Sequence, residues 1–359
     1  MMSNPTGRSI IKYFLAVLLF YSGVLAAYRF FKTRILGRPD LSILMYHRVL
    51  DNPWASAVLT QPGMAVSTEV FDRQMAYLSK SRQVIRLTAL AEAGRSLPRG
   101  AVAVTFDDGW RDNFTNAYPV LQKHEIPATI FLTADFVGTP KSFWFLSVSR
   151  LLREGNFTGA DLSDIVRKAT GIQSGSDTRP AADHTGVTGS VDADPFIESL
   201  KDLDPETLER VIAAMRERSP AAADAGDDDK PMLSWEEVIE MQSGGVEFGS
   251  HGCSHRILTR LPGAQAQDEI TGSRIIIEER LGRKTDCFSY PNGDYNAQVK
   301  AAVEQAGYLC AVTTRGDRLA AKSTDRFSLR RIAVHEGISV GPRGRFSKAM
   351  FVWHLARNL

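Results

Sequence analysis

Short, continuous apolar runs recur along this chain, and a helical pattern follows most of them. Ala101–Phe106 (AVAVTF) and Ala128–Leu132 (ATIFL) lack the polar alternation of a half-exposed strand, so both of their faces must be buried. Leu41–Tyr46 is similar, and shorter strand signals follow at 246–248, 286–289, 308–313 and 329–334. Helical periods lie between them at 68–79, with Thr68 as N-cap, and at 116–124, 265–281 and 297–306. Strand–helix alternation of this kind predicts an α/β fold around a mainly parallel sheet, open or closed into a barrel.

Two regions break the rhythm. Residues 13–28 (YFLAVLLFYSGVLAAY) hold no charge and are apolar on every face, which predicts an uncleaved transmembrane anchor helix within residues 1–40. The small residues of Leu25-Ala26-Ala27 leave a cleaved signal peptide as the alternative. Six Lys or Arg against one Asp in residues 1–40 give the anchor basic flanks. The second region, about 139–231, carries 11 basic and 17 acidic residues, with Gly/Ser/Thr/Asp-rich stretches around helical patterns near 143–153 and 196–217. It reads as a partly helical acidic insertion within a domain covering 41–359, its acidic runs a solvated face or, remotely, a metal site at Asp227–Asp229. A net charge of +2 over 359 residues argues against a nucleic-acid partner, and three cysteines without a CxxC pair argue against a disulfide framework.

Chemistry concentrates where strands end. Asp107 and Asp108 directly follow AVAVTF, and adjacent carboxylates repel unless they share a cation or a proton. One of them can bind a metal while the other serves as base to the metal's water; a capped turn ending in Gly109 is the plainer alternative. Phosphoaspartate enzymes space such carboxylates Asp-x-Asp, which is absent here. His251 and His255, two of only seven histidines, stand four apart after the VEFG strand and can chelate one ion. Together with Asp108 they offer two nitrogens and an oxygen, and they leave a coordination position open for water. In the YPNG turn after the next strand, a backbone N–H near Asn292 can serve as oxyanion donor, and Tyr290 can line a sugar groove. His47, after the first strand, and His335, after the last, are alternative proton donors to a leaving amine.

TFDDGW, the His-x3-His pair, the run AYPVLQKHEIPATIFL and the YPNG turn together resemble the polysaccharide deacetylase family, the NodB-homology or carbohydrate esterase 4 group. The resemblance covers roughly 41–138 and 232–335. It implies a deformed (β/α) barrel that binds a divalent metal, most often Zn2+, and removes acetyl groups from N-acetylated sugars. It also implies Asp107 as general base and Asp108, His251 and His255 as metal ligands; beside these, Tyr290 and Trp110 are the strand-end aromatics expected to contact substrate. Many members carry an Arg where Ser289 stands, and that Arg positions the base; Arg330 or Arg331 is the candidate replacement here. The early YHRV resembles the branch that deacetylates exported poly-N-acetylglucosamine, which favours His47 over His335 as the acid.

These readings lead to a carbohydrate N-deacetylase that acts on a polysaccharide or cell-envelope glycan. The anchor would hold it at the inner membrane with the catalytic part on the extracytoplasmic side. The positive-inside rule taken alone favours the opposite side, but a long following domain can override it. Two alternatives remain, a deacetylase or deformylase of a lipid-linked sugar and a non-catalytic, membrane-anchored carbohydrate-binding module.

Overall fold

The computed structural model describes residues 7–36, 41–53, 63–92, 100–141, 143–171, 193–220, 231–314 and 325–358. By Cα packing the chain divides into two compact units, one of Met1–Trp54, Pro62–Thr139 and Pro231–Leu359, the other of Ala55–Gln61 and Pro140–Lys230. The Asp227–Asp229 run and most of the Gly/Ser-rich stretch 172–194 lie outside the described residues.

The first unit contains a parallel sheet. Its strands, in chain order, are β1 (Leu41–Tyr46), β2 (Arg48–Leu50), β3 (Ala65–Ser67), β4 (Gln83–Val84), β5 (Ala101–Phe106), β6 (Ala128–Leu132), β7 (Glu247–Ser250), β8 (Cys287–Ser289), β9 (Cys310–Thr313), β10 (Leu329–Arg330) and β11 (Ile332–Ala333). The hydrogen-bonded order is β10-β9-β8-β7-β6-β5-β1-β11, with β4 paired to the start of β5 and β2–β3 forming a separate small sheet. β10 and β11 stand at opposite ends of this order, yet only Arg331 separates them in the chain. The sheet therefore curls into a nearly closed barrel whose two edges meet at that residue. The single strand expected at 329–334 is in fact two, because the chain passes there from one edge of the sheet to the other.

Burial explains the apolar runs. All six residues of β5 and all five of β6 are buried, as a parallel strand covered on both faces requires. Gly249 keeps β7 close to its neighbours, since a Cβ there would lie 2.6 Å from the Phe131 ring and 2.8 Å from the Cys287 carbonyl. The helix Thr68–Ser81 turns Val70, Phe71, Met75 and Leu78 inward, and Ser67 rather than Thr68 caps it by accepting from the Val70 N–H. Its buried Gln74 accepts from the Tyr46 hydroxyl and donates to Ser339, so the one polar side chain of the inner stripe is satisfied.

Among the described residues of the second unit, the helices Trp144–Glu154, Gly159–Thr170, Ala193–Leu200 and Pro205–Arg218 bury side chains that include Phe145, Leu151, Leu162, Phe196 and Ile212. The single helical period expected over 196–217 is split because Asp204 caps a new helix, its carboxylate accepting from the Thr207 N–H, and Pro205 starts it.

The N-terminal segment departs most from expectation. The apolar run is broken at Ser22–Gly23, where Gly23 adopts φ 77°, into helices Gly7–Tyr21 and Val24–Phe30 and a π-helical turn Phe31–Ile35. No single helix among the described residues is long and apolar enough to cross a membrane; Ser9–Tyr21 and Val24–Ile35 reach the length only as a pair bent by 71°. The first helix lies along the C-terminal helix Lys348–Asn358, with the Lys12 ammonium 5.6 Å from the centre of the Trp353 ring.

Candidate active site

The two carboxylates sit at the C-terminal end of β5, at the rim where parallel strands in α/β folds present functional side chains. Asp108 has φ 79° and Gly109 φ 82°, so two successive left-handed residues turn the chain sharply after Asp107. A left-handed non-glycine costs about 1–3 kcal/mol, and the surroundings hold this one in place. Gly109 O accepts from the Leu233 N–H at 2.9 Å, and the Trp110 indole N–H donates to Asp108 Oδ2 at 2.8 Å. His255 (φ 61°) and Asn292 (φ 58°) share this backbone state, so all three strand-end motifs contain a strained turn.

His251 follows β7, and its backbone N–H extends the sheet by donating to Leu132 O. Its Nδ1 lies 2.7 Å from the Ser289 carbonyl, an acceptor only, so Nδ1 carries the proton and the Nε2 lone pair faces the site. Burial pushes the His251 imidazole down to about 4, which keeps it neutral and available as a ligand. Nε2 of His251 lies 3.6 Å and Nε2 of His255 3.4 Å from Asp108 Oδ1. Burial alone would raise the Asp108 carboxyl, but His255, His47 and His251 outweigh it and hold the group well below the ordinary carboxylate range. Glu269, on the helix Gly263–Leu281, sets the turn between the histidines: its carboxylate accepts from the N–H groups of Cys253 (2.8 Å) and Ser254 (2.9 Å) and from the Ser254 hydroxyl.

Asp108, His251 and His255 each offer one ligand atom, and these atoms lie within 4.8 Å of one another. A tetrahedral ion with bonds of about 2.0–2.1 Å needs donors about 3.3 Å apart, close to the 3.4 and 3.6 Å found here. The donor chemistry, the spacing and the fixed His251 tautomer all fit a divalent metal.

Asp107 belongs to a different pairing. The Arg331 guanidinium forks onto it, Nη1 to Oδ1 at 2.6 Å and Nη2 to Oδ2 at 2.5 Å, and Nη2 also reaches Ser289 Oγ at 3.0 Å. Of the two candidates read from the sequence, Arg331 is the one that meets Asp107; the Arg330 side chain is exposed. Arg331 sits at the barrel seam, so the closure of the sheet brings it to Asp107, and Ser289 marks the vacant family position by accepting from it. Burial raises the Asp107 carboxyl, but Arg331, then His251 and His47, bring it below its ordinary value. Each carboxylate oxygen keeps a second lone pair free of the fork.

His47 lies at the same rim, two residues past the paired Met45, and its charge bears on both Asp107 and Asp108. A clamp that sequence reasoning missed holds its segment. Asp112 accepts from Arg48 Nε at 2.8 Å and from the Val49 N–H at 2.7 Å, Asn113 donates to the His47 carbonyl at 2.9 Å, and the Arg48 guanidinium lies 4.5 Å from the centre of the Trp110 ring. The only sequence signal for it was the DNF that continues DDGWR.

Three expected residues have other surroundings. Trp110 and Tyr290 are fully buried and cannot face a sugar: the Trp110 indole serves Asp108, and the Tyr290 hydroxyl donates to Phe327 O at 2.9 Å beneath the half-exposed Tyr295 ring. His335 also stands two residues past a paired strand position, but its ring lies against Gly63 and Gly337, with Lys12 and His354 as its electrostatic neighbours. Asn292 turns after β8, and its side-chain amide donates to Asp294 at 2.8 Å.

Comparison with known proteins agrees with this fold. The family model described as Polysaccharide deacetylase matches residues 94–186 and 196–311. YxkH of Bacillus subtilis (strain 168), which bears the name of a polysaccharide deacetylase, is 22% identical over 249 residues, or 69% of this chain and 57% of YxkH. The poly-beta-1,6-N-acetyl-D-glucosamine N-deacetylase of Escherichia coli (strain K12) is 35% identical over 81 residues, 21% of this chain and 12% of that protein. The chain thus matches little more than half the length of one curated relative and a small part of the other. Among solved structures, the Streptococcus pyogenes deacetylase PplD in complex with acetate superposes with a TM-score of 0.51 at 18% identity, over 85% of this chain and 95% of that one. The polysaccharide deacetylase BC0361 of Bacillus cereus gives 0.50 at 17% identity, over 88% of this chain and 68% of that one. A nearly closed parallel barrel, an Asp-Asp strand end and a His-x3-His turn matched by that family model place this chain in the polysaccharide deacetylase family.

Proposed function

We propose that this chain hydrolyses the N-acetyl groups of an amino-sugar polymer in a metal-dependent reaction. The observation that carries the reading is the separation of two adjacent buried carboxylates, Asp107 forked by Arg331 and Asp108 facing two histidine nitrogens. Asp108, His251 and His255 would hold a divalent ion, which we read as Zn2+, and when bound it would supply a Lewis acid to polarise the acyl carbonyl and acidify water. Asp107 takes one proton from the attacking water as its oxygen bonds to the carbonyl carbon, and Arg331 keeps that carboxylate ionised and aimed. The Asn292 N–H is the backbone donor assigned to the oxyanion. His47 donates a proton to the sugar nitrogen as the C–N bond breaks, leaving acetate and a free amine. Removing either proton function slows the reaction, because an amine anion is a very poor leaving group.

The test is acetate release from N-acetylglucosamine oligomers by the full chain, before and after chelation. The reading expects release that chelation abolishes and Zn2+ restores; release that persists in the metal-free protein contradicts it. The exposed apolar N-terminal helices favour one second reading, a lipid-linked N-acyl sugar as substrate. Parallel assays with a polyprenyl-linked sugar, scoring acetate and formate separately, distinguish the two.

A further inference from the structure

The N-terminal segment is apolar on two faces, and the protein covers only one of them. In the helix Gly7–Tyr21, Ala16 is buried, the Tyr13 ring lies against Gly341, and Lys348 approaches within 5.6 Å of the Phe20 ring centre. On the opposite face Ile11, Phe14, Leu15 and Leu18 recur at i, i+3, i+4 and i+7 and are 44–69% exposed. After the bend, Val24, Tyr28, Phe31 and Ile35 form a second stripe that is 42–64% exposed. Eleven of the 14 large apolar side chains exposed among the described residues fall within 11–36, so they form a patch rather than a scatter.

Charge specifies what covers this patch. Residues 7–36 hold five Lys or Arg and no Asp or Glu, and the adjoining helix Lys348–Asn358 adds Lys348 and Arg357, again with no acid. An apolar face set in purely basic surroundings complements an anionic headgroup layer over hydrocarbon. Neither straight piece spans, since the longer one, 15 residues at about 1.5 Å each, reaches ~22 Å against a ~30 Å hydrocarbon core, and the pair that reaches the length together is bent by 71°. We propose that the bent helix pair docks the protein on one leaflet of an anionic lipid bilayer, lying in the interface with both of its ends on the same side. The proposal is independent of the catalytic reading.

Co-sedimentation of the full chain with preformed vesicles tests it. Binding is expected to phosphatidylcholine vesicles that contain phosphatidylglycerol, about tenfold weaker to phosphatidylcholine alone, and about tenfold weaker for Leu15→Glu/Leu18→Glu, with Arg34→Glu as a second, fold-neutral weakening variant. With vesicles bound, Ser9→Cys and Arg34→Cys, two polar positions outside the apolar stripes, both react with a membrane-impermeant maleimide added outside, scored at each site by peptide mapping. Protection of one site would show a spanning segment and overturn the proposal. So would variants that sediment like the parent, or a lipid-free dimer that fails to bind vesicles.

Discussion

Replacing Arg331 with Met removes the guanidinium that forks onto Asp107 and leaves a side chain of similar reach at the barrel seam. Asp107 is 2% exposed and Arg331 7% exposed, so the substitution strands a carboxylate away from water. Removing one partner of a buried ion pair costs about 3–5 kcal/mol of stability. In the parent, Arg331 and the neighbouring imidazoles overcome burial and lower the Asp107 pKa. The pair's contribution is therefore complete above the unfolded carboxylate value of about 3.9 and is lost as pH falls through the lower folded value. In the variant burial prevails, the Asp107 carboxyl rises above its ordinary range, and the acid limb of the rate profile moves to higher pH. At neutral pH kcat falls by about 10²–10⁴, the usual contribution of a general base, and part of the loss returns as pH is raised. Arg331→Lys keeps the charge without the fork and falls between the two. Zn2+ affinity stays within about threefold of the parent, because the Arg331 hydrogen bonds go to Thr105, Asp107 and Ser289 rather than to Asp108, His251 or His255. The assays are acetate release across pH, urea unfolding and Zn2+ titration. A variant that loses stability but keeps its kcat and its acid limb would reduce Arg331 to a tie across the seam and refute its role at the base.

Other substitutions separate the remaining functions. Trp110→Phe deletes the N–H on Asp108 Oδ2 and weakens Zn2+ binding about tenfold by competition with a chelating dye. Glu269→Ala releases the Cys253–Ser254 turn and weakens the same affinity about 10–100-fold. His47→Gln lowers amide hydrolysis about 10²-fold or more with metal content unchanged, while turnover of an activated phenyl ester, whose leaving group needs no proton, changes by less than about threefold.

The site was legible where its chemistry is local. Asp107 and Asp108 adjoin a fully apolar strand, and the two histidines are four residues apart, so their types and spacing carry most of the information. What stayed hidden depends on closure of the sheet. Arg331 reaches Asp107 across 224 positions, and nothing local separates it from Arg330; only the switch of sheet edge at 331 does. Glu269 looks like any helical acid until the helix packs on the histidine turn. Tyr290 and Trp110 read as groove aromatics because a strand end looks alike whether its side chain enters the core or the groove. The N-terminal run reads as one continuous helix for a physical reason: a helix covered by protein on one face and left open on the other is as apolar all round as a membrane span. Only the glycine at 23 marked the break, and a single glycine inside a helical pattern is a weak signal.

The central claim is that Asp108, His251 and His255 form one metal site beside the Asp107–Arg331 pair. Calorimetric titration of the chelator-treated full chain with Zn2+, repeated on Asp108→Ala and His251→Ala, tests it most directly. The account predicts one ion per chain for the parent and affinity reduced by at least about 10²-fold in each variant. Binding in the variants indistinguishable from that of the parent would contradict it.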